Sequence, residues 1–263
     1  MSQPNYLFYP SLLDAYQYYL EADENWEQFY DGSDNPEAPS HAEYLAQCEK
    51  ELLDKINRVP HEPIEAAACG TCFNEIVDCL VEHRPCGHEG MTIKSNKKDN
   101  TIVATLDGFT FTFDMGFCLE AGRYFAESIP QYRCEAEIDT KYGTVGLYGY
   151  IDELRANMVF DIKTTRNYLF GKFERHWQKV VYPYCLIESG DCTEIEGFEY
   201  TVYKLSGGNG RNLVISAEMF SEYYAYKHDE AKVRLRLFCE SFIEWLNQHR
   251  DQITDKKVFG IVE

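Results

Sequence analysis

Residues 149–165, GYIDELRANMVFDIKTT, constrain this chain more than any other stretch. Two apolar-rich runs separated at Ala156-Asn157 read as a β-hairpin. A turn there predicts that Arg155 pairs with Met158 and Asp152 with Asp161. Directly opposed residues share a sheet face, as do residues two apart in one strand. Asp152, Asp161 and Lys163 are therefore expected on one face, with Ile151, Phe160 and Ile162 in the opposite layer. Opposed carboxylates repel unless a cation lies between them. Oxygen donors suit Mg2+ or Mn2+, and a neighbouring ammonium suits a phosphoryl transition state. An ordinary charged strand pair on the surface fits the same pattern, so the stretch alone does not decide.

The remaining periodicity gives the frame. Helices are expected over about 9–22, 40–58, 66–82, 115–127, 174–188 and 217–248. Strands are expected over 132–139, 144–154, 158–164, 196–205 and 211–216, with a hairpin around 206–210. Asp107-Gly108 within TIVATLDGFTFTFD marks a second hairpin. Segments 31–39 and 87–100 read as loops. This order implies an α/β (α+β) layered domain. Residues 1–60 form an N-terminal helical extension packing on a core of 61–263, which ends in a long helix.

Two helical segments carry further polar pairs. In HWQKVVYPYCL, Gln178 and Tyr182 are four apart and share a helix face. Pro183 lacks a backbone donor, so a kink or a late helix start is expected there. In CGTCFNEIVDCLVE, Gly70-Thr71 opens a helix on which Asn74 and Asp78 share a face, flanked by Glu75 and Glu82. Each segment alone also fits an ordinary helix with chance polar residues.

The formal net charge of −19 opposes nucleic-acid binding at long range. Between 163 and 179, however, stand Lys163, Arg166, Lys172, Arg175 and Lys179 against Glu174. Tyr168, Phe170, Phe173 and Trp177 interleave with them. Cations for phosphates and rings for bases suit single-strand binding, although core packing is expected to claim at least half of these rings. No run approaches the roughly 20 apolar residues of a membrane span, and the N-terminus does not read as a secretory signal. The ten cysteines then read as free thiols in a reducing cytoplasm.

Taken together and in this order, the pieces resemble the RecB-like exonucleases of the PD-(D/E)xK nuclease superfamily. The opening S-x-L-x-x-Y helix is approximated by Ser11, Leu13 and Asp14-Ala15-Tyr16. The G-T-x-x-H-x-x-x-E helix is matched by Gly70, Thr71 and Asp78. G-x-x-D falls on Gly149 and Asp152, D-x-K-T on Asp161, Lys163 and Thr164, and Q-x-x-x-Y on Gln178 and Tyr182. The resemblance covers residues 11–182.

The resemblance implies a restriction-endonuclease-like core, a mixed central sheet flanked by helices, and metal-dependent exonuclease action on DNA. It implies Mg2+ or Mn2+ on Asp152, Asp161 and the Ile162 carbonyl, a catalytic Lys163, and Gln178 and Tyr182 holding the substrate backbone or the lysine. Arg166, Lys172, Arg175 and Lys179 are the expected DNA contacts. The family's metal-binding histidine falls at Asn74, a weaker ligand for which Glu75 or Asp78 is the expected substitute. Some relatives hold an iron–sulfur cluster with three C-terminal cysteines. Here only Cys239 lies there, so no such cluster is expected. A zinc site drawn from Cys69, Cys72, His83, Cys86 and His88 is a lesser alternative. A catalytically weakened DNA-binding module and an acidic protein-binding decoy stand as competing readings. Partnership with a second copy or a recombination protein is left open.

Overall fold

In a computed structural model, which describes residues 3–33, 35–208 and 213–261, one large mixed sheet carries helices on both faces. The strands are β1 (Tyr6–Phe8), β2 (Thr92–Asn96), β3 (Thr101–Leu106), β4 (Phe109–Asp114), β5 (Ile129–Thr140), β6 (Gly143–Arg155), β7 (Met158–Thr165), β8 (Gly197–Ser206) and β9 (Val214–Ala225). The helices are α1 (Pro10–Leu20), α2 (Ala22–Phe29), α3 (His41–Ile56), α4 (Glu65–Val81), α5 (Met115–Tyr124), α6 (Gln178–Glu188) and α7 (His228–Gln248). The strand order is β1-β6-β7-β8-β9-β4-β3-β2, with β5 on the other edge of β6.

Local sequence sets most of these boundaries. Asp107 and Gly108 take φ of 52° and 82°, the paired positive values of a tight hairpin turn. Ser40 and Glu43 form a reciprocal capping box that starts α3. The Asp114 side chain accepts the Phe117 N–H and starts α5. One apolar cluster gathers residues of α1, α3, α6 and α7 on one side of the sheet. A second gathers α4 and α5 on the other side. Phe8, Leu13, Leu52 and Ile56 belong to the main core with β6 and α7 residues, and β1 joins the sheet beside β6, while Ala22, Tyr44 and Cys48 form a small cluster of their own.

Several expectations change. The helix expected from 217 begins at His228, because residues 216–225 pair one for one with β8, from Ser206↔Ser216 to Gly197↔Ala225. Ala, Glu and Met in SAEMFSEYYA favour a helix locally, and sheet pairing overrides that preference. Segment 87–100 contains β2, an exposed edge strand that carries Lys94. The helix expected from 174 starts late, at Gln178, with Pro183 inside it. The hairpin expected around 206–210 falls partly on residues 209–212, which lie outside the described residues.

The sheet is split beside β6. Along one edge, β6 pairs with β1 at Val145, Gly146 and Leu147 and with β7 only at Glu153, Leu154 and Arg155. Arg155 faces Met158 as expected, but the ladder stops one residue short of Asp152. On the other edge the β5 ladder omits Gln131 and Asp152, and Gln131 takes a φ of 50°. The pleat of β6 breaks there. Ile151 consequently joins the α6/α7 side of the core, contrary to expectation, while Phe160 and Ile162 pack on the α4/α5 side.

Candidate active site

At the split, Asp152 of β6 meets β7. Instead of pairing backbone to backbone, Asp152 Oδ2 accepts the Ile162 N–H at 2.8 Å. The side chain replaces a missing ladder bond and is fixed beside Asp161. Next along β7, the Lys163 ammonium lies 2.7 Å from Asp161 Oδ2 and donates to Gln178 Oε1 at 2.8 Å. The Gln178 amide donates in turn to Asp161 Oδ1, and it lies 3.5 Å from the Tyr182 hydroxyl. Its acceptor end therefore faces the ammonium and its donor end the carboxylate, which locks the amide orientation. The structure brings Asp152, Asp161, Lys163, Gln178 and Tyr182 into one connected group.

Two glycines allow this approach. A Cβ on Gly149 would lie 2.5 Å from Tyr182 Cε1, so the bare strand lets the tyrosine ring lie on β6. A Cβ on Gly70 would lie 2.9 Å from Thr164 Oγ1, so α4 passes close over the end of β7. Gly70, Asn74 and Asp78 recur at helical spacing along that same face.

The electrostatics are those of buried acids around one base. Burial pushes the Asp152 carboxyl well above the ordinary carboxylate range, and the Asp161 charge pushes it further. Burial also raises Asp161, against the pull of Lys163. Burial alone would depress the Lys163 ammonium, but Asp161 and Asp152 outweigh it and hold its pKa up. The α4 side adds Asp78, raised to about 7 by burial and then by Glu75, and close enough to act on Asp152. On β6, Glu153 is raised to about 8 by burial, although Ser128 Oγ donates to it at 2.6 Å.

Asn74 Oδ1, Asp78 Oδ1 and Glu153 Oε1 are buried acceptors without a hydrogen-bond partner. Unsatisfied buried oxygens of this kind normally require a proton, a water or a cation. Among the described residues, no three His, Cys, Asp or Glu side chains form a ligand set by themselves. An ion on Asp152 and Asp161 would need the Ile162 carbonyl, an amide or water to complete its shell. Mg2+ commonly binds through one or two carboxylates and keeps several waters. The donors present are all hard oxygens, and they fit such an ion.

Glu75 stands apart from this group. Its carboxylate accepts Arg84 Nη1 at 2.6 Å and the Gly87 N–H at 2.6 Å. Burial alone would raise its pKa, but those donors and Cys79 outweigh it and hold it at about 2. Glu75 braces the end of α4, and the same Arg84 lies 3.7 Å from Asp78 Oδ2, so of the α4 acids it is Asp78 that also acts on Asp152. Of the residues weighed for zinc, Cys69 and Cys72 are buried in the α4/α5 core.

The four expected nucleic-acid contacts divide. Arg166 and Lys172 are exposed and border a cleft of about 540 Å³ that begins at Thr164 and Thr165, directly after Lys163. Arg175 instead pairs with Glu21 at 2.7 Å. Lys179 lies 4.0 Å over the Tyr224 ring and bonds the Glu174 carbonyl. Of the interleaved rings, Phe173 and Trp177 are core residues and Tyr168 is half-buried, whereas Phe170 is exposed.

Sequence reasoning missed Asp14 as a site residue. Its Oδ1 accepts the Trp177 N–H at 2.7 Å and so anchors the residue before α6. Burial lifts Asp14 to about 6, with Lys163 and Asp161 both acting on it. His176, 3.7 Å from Asp14, is lowered to about 4 by burial and then by Lys163. The available signal was Asp14 within the approximate S-x-L-x-x-Y helix.

No known protein-family model matches this chain, and no curated protein does. Among solved structures, one described as "Crystal structure of SSO0001" is similar over 46% of this chain and 50% of its own length, at 13% identity and a TM-score of 0.30. The match thus spans about half of that chain.

Proposed function

We propose that this chain is a metal-dependent deoxyribonuclease with a restriction-endonuclease-like core of the RecB type, acting on DNA ends. The observation that carries the reading is the connected group itself. Asp152 is tied to the backbone between Asp161 and Lys163, and Gln178 bridges that carboxylate and that ammonium. An ordinary surface strand pair has no need to bury two acids and a lysine beside a break in its own ladder.

Asp152 and Asp161 would hold Mg2+ or Mn2+, with the Ile162 carbonyl and the unpartnered oxygens of Asn74 and Asp78 nearby. Such an ion supplies Lewis-acid polarisation of the phosphate and a lowered pKa for bound water. Lys163 places a fixed positive charge where negative charge develops on the phosphoryl oxygens. Gln178 holds that ammonium in position, and Asp14 holds the start of α6, hence Gln178. Arg166 and Lys172 bind the phosphates beyond the reacting one, which offers local attraction despite the net charge of −19.

A weakened, binding-only variant of the same fold is the second reading. It is favoured by Asn74, whose amide oxygen ligates a hard cation less strongly than imidazole would. The test is incubation with end-labelled single-stranded and duplex linear DNA and closed circular plasmid, in EDTA, Mg2+ or Mn2+. Metal-dependent loss of linear DNA with circles spared supports the reading. DNA left intact under both metals contradicts it and favours the binding-only form.

A further inference from the structure

The loop between β7 and α6 is held at two points by one buried carboxylate. Glu222 of β9 accepts the Tyr168 hydroxyl at 2.7 Å and the Gly171 N–H at 3.0 Å on the same oxygen. Its other oxygen accepts the Tyr224 hydroxyl at 2.8 Å. The Tyr168 ring packs against Phe220 with centroids 4.8 Å apart. Pinned at Tyr168 and Gly171, the chain presents the two residues between them to solvent. Leu169 is 78% exposed and Phe170 83%, more than any other large apolar side chain among the described residues. A Leu–Phe pair held out in this way is not core that failed to pack, because the flanking hydrogen bonds fix it there.

The same loop carries the cations. Lys172 Nζ is steadied by Thr165 Oγ1 at 2.9 Å and the Asn167 carbonyl at 3.0 Å, with Arg166 bordering the same cleft. Ten residues, from Lys163 to Lys172, thus set out in series the site's ammonium, two exposed cations and an exposed apolar tip. Spaced positive charge beside a flat ring is chemistry for phosphate next to an unstacked base.

We propose that Phe170, together with Leu169, stacks on an unpaired base of a nucleic-acid strand whose phosphates lie along Arg166 and Lys172, so that the site takes single-stranded or frayed ends. This rests on the nuclease reading for the identity of the ligand. A base paired within a duplex offers no free face to the tip, so intact duplex is the poorer ligand.

The test uses single-stranded DNA carrying 2-aminopurine, whose fluorescence is quenched by stacking, mixed in EDTA with wild-type protein, Phe170→Ala and Phe170→Trp. Phe170 is exposed, so neither variant disturbs the core. Wild type and Phe170→Trp are expected to quench the probe, while Phe170→Ala loses the quench and binds about tenfold more weakly. Equal quenching and affinity in Phe170→Ala overturns the proposal, as does failure of wild type to bind the probe, or tighter binding to blunt duplex. Cleavage in Mn2+ is followed separately. Cutting that is indifferent to Phe170, with no quench, removes this proposal and leaves the nuclease reading. Quenching without cutting does the reverse.

Discussion

Glu75→Gln is expected to destabilise the fold by an amount that depends on pH and not on metal. In the wild type the Glu75 carboxylate is almost fully buried and accepts Arg84 at 2.6 Å and Gly87 at 2.6 Å. Its pKa is held at about 2 against an ordinary 4.5. One pKa unit corresponds to roughly 1.4 kcal/mol, so the charged side chain contributes at most about 3 kcal/mol at neutral pH, less to the extent that solvent screens the partly exposed Arg84. The folded pKa is depressed, so this stability is fully present above the unfolded value of 4.5 and is lost as pH falls towards 2. At pH 3 less than about half of it remains. Urea unfolding in EDTA at pH 7.5, 4 and 3 reads the effect directly. The gap between wild type and Glu75→Gln should be about 1–3 kcal/mol at pH 7.5 and shrink steadily with acid. A gap that does not change with pH, or that appears only when Mn2+ is present, would refute the brace and return Glu75 to the metal ligands.

Other predictions follow from single contacts. Gly149→Ala drives a methyl group to 2.5 Å from the Tyr182 ring. It should cost about 1–3 kcal/mol, read as a thermal midpoint lowered by several degrees, and an unchanged midpoint would contradict the close approach. Glu222→Gln removes the charge of the one carboxylate that pins the loop at Tyr168 and Gly171, so Gly171 amide exchange should speed up by roughly tenfold or more while α7 amides do not change. Gln178→Ala should leave the fold intact yet slow metal-dependent cleavage by about tenfold or more, because Lys163 loses the acceptor at 2.8 Å that orients it. Cleavage at the wild-type rate would show that Gln178 does not position the ammonium.

The hairpin of β6 and β7 was legible because alternation, turn residues and the Arg155–Met158 pairing all agree. The convergence of Asp152, Asp161 and Lys163 was legible for the same reason, although by a different route from the one expected. Ideal pairing predicts two carboxylates facing across a ladder, whereas the ladder ends and Asp152 bonds the Ile162 N–H instead. The break coincides with Gln131 of the neighbouring strand, which leaves the β5 ladder with a φ of 50° and which no local pattern in β6 reveals. The part of β9 from Ala217 was misread because its helix-forming composition is overridden by continued pairing with β8. Glu222 and Asp14 escaped notice since their roles come from tertiary contacts with a loop and with the start of α6. The brace on Glu75 is likewise invisible in the helix pattern, where it looks as available as Asp78.

Asp152, Asp161 and Lys163 are proposed to form one working centre. The most direct test is the single-turnover rate of Mn2+-dependent cleavage of end-labelled linear DNA by wild type and Lys163→Ala side by side, with unfolding curves confirming that both are folded. Cutting by wild type that EDTA abolishes, and a loss of roughly a hundredfold or more in Lys163→Ala, are expected if the three residues form one centre. Equal rates in the two proteins, or wild-type cutting that persists in EDTA, would contradict it.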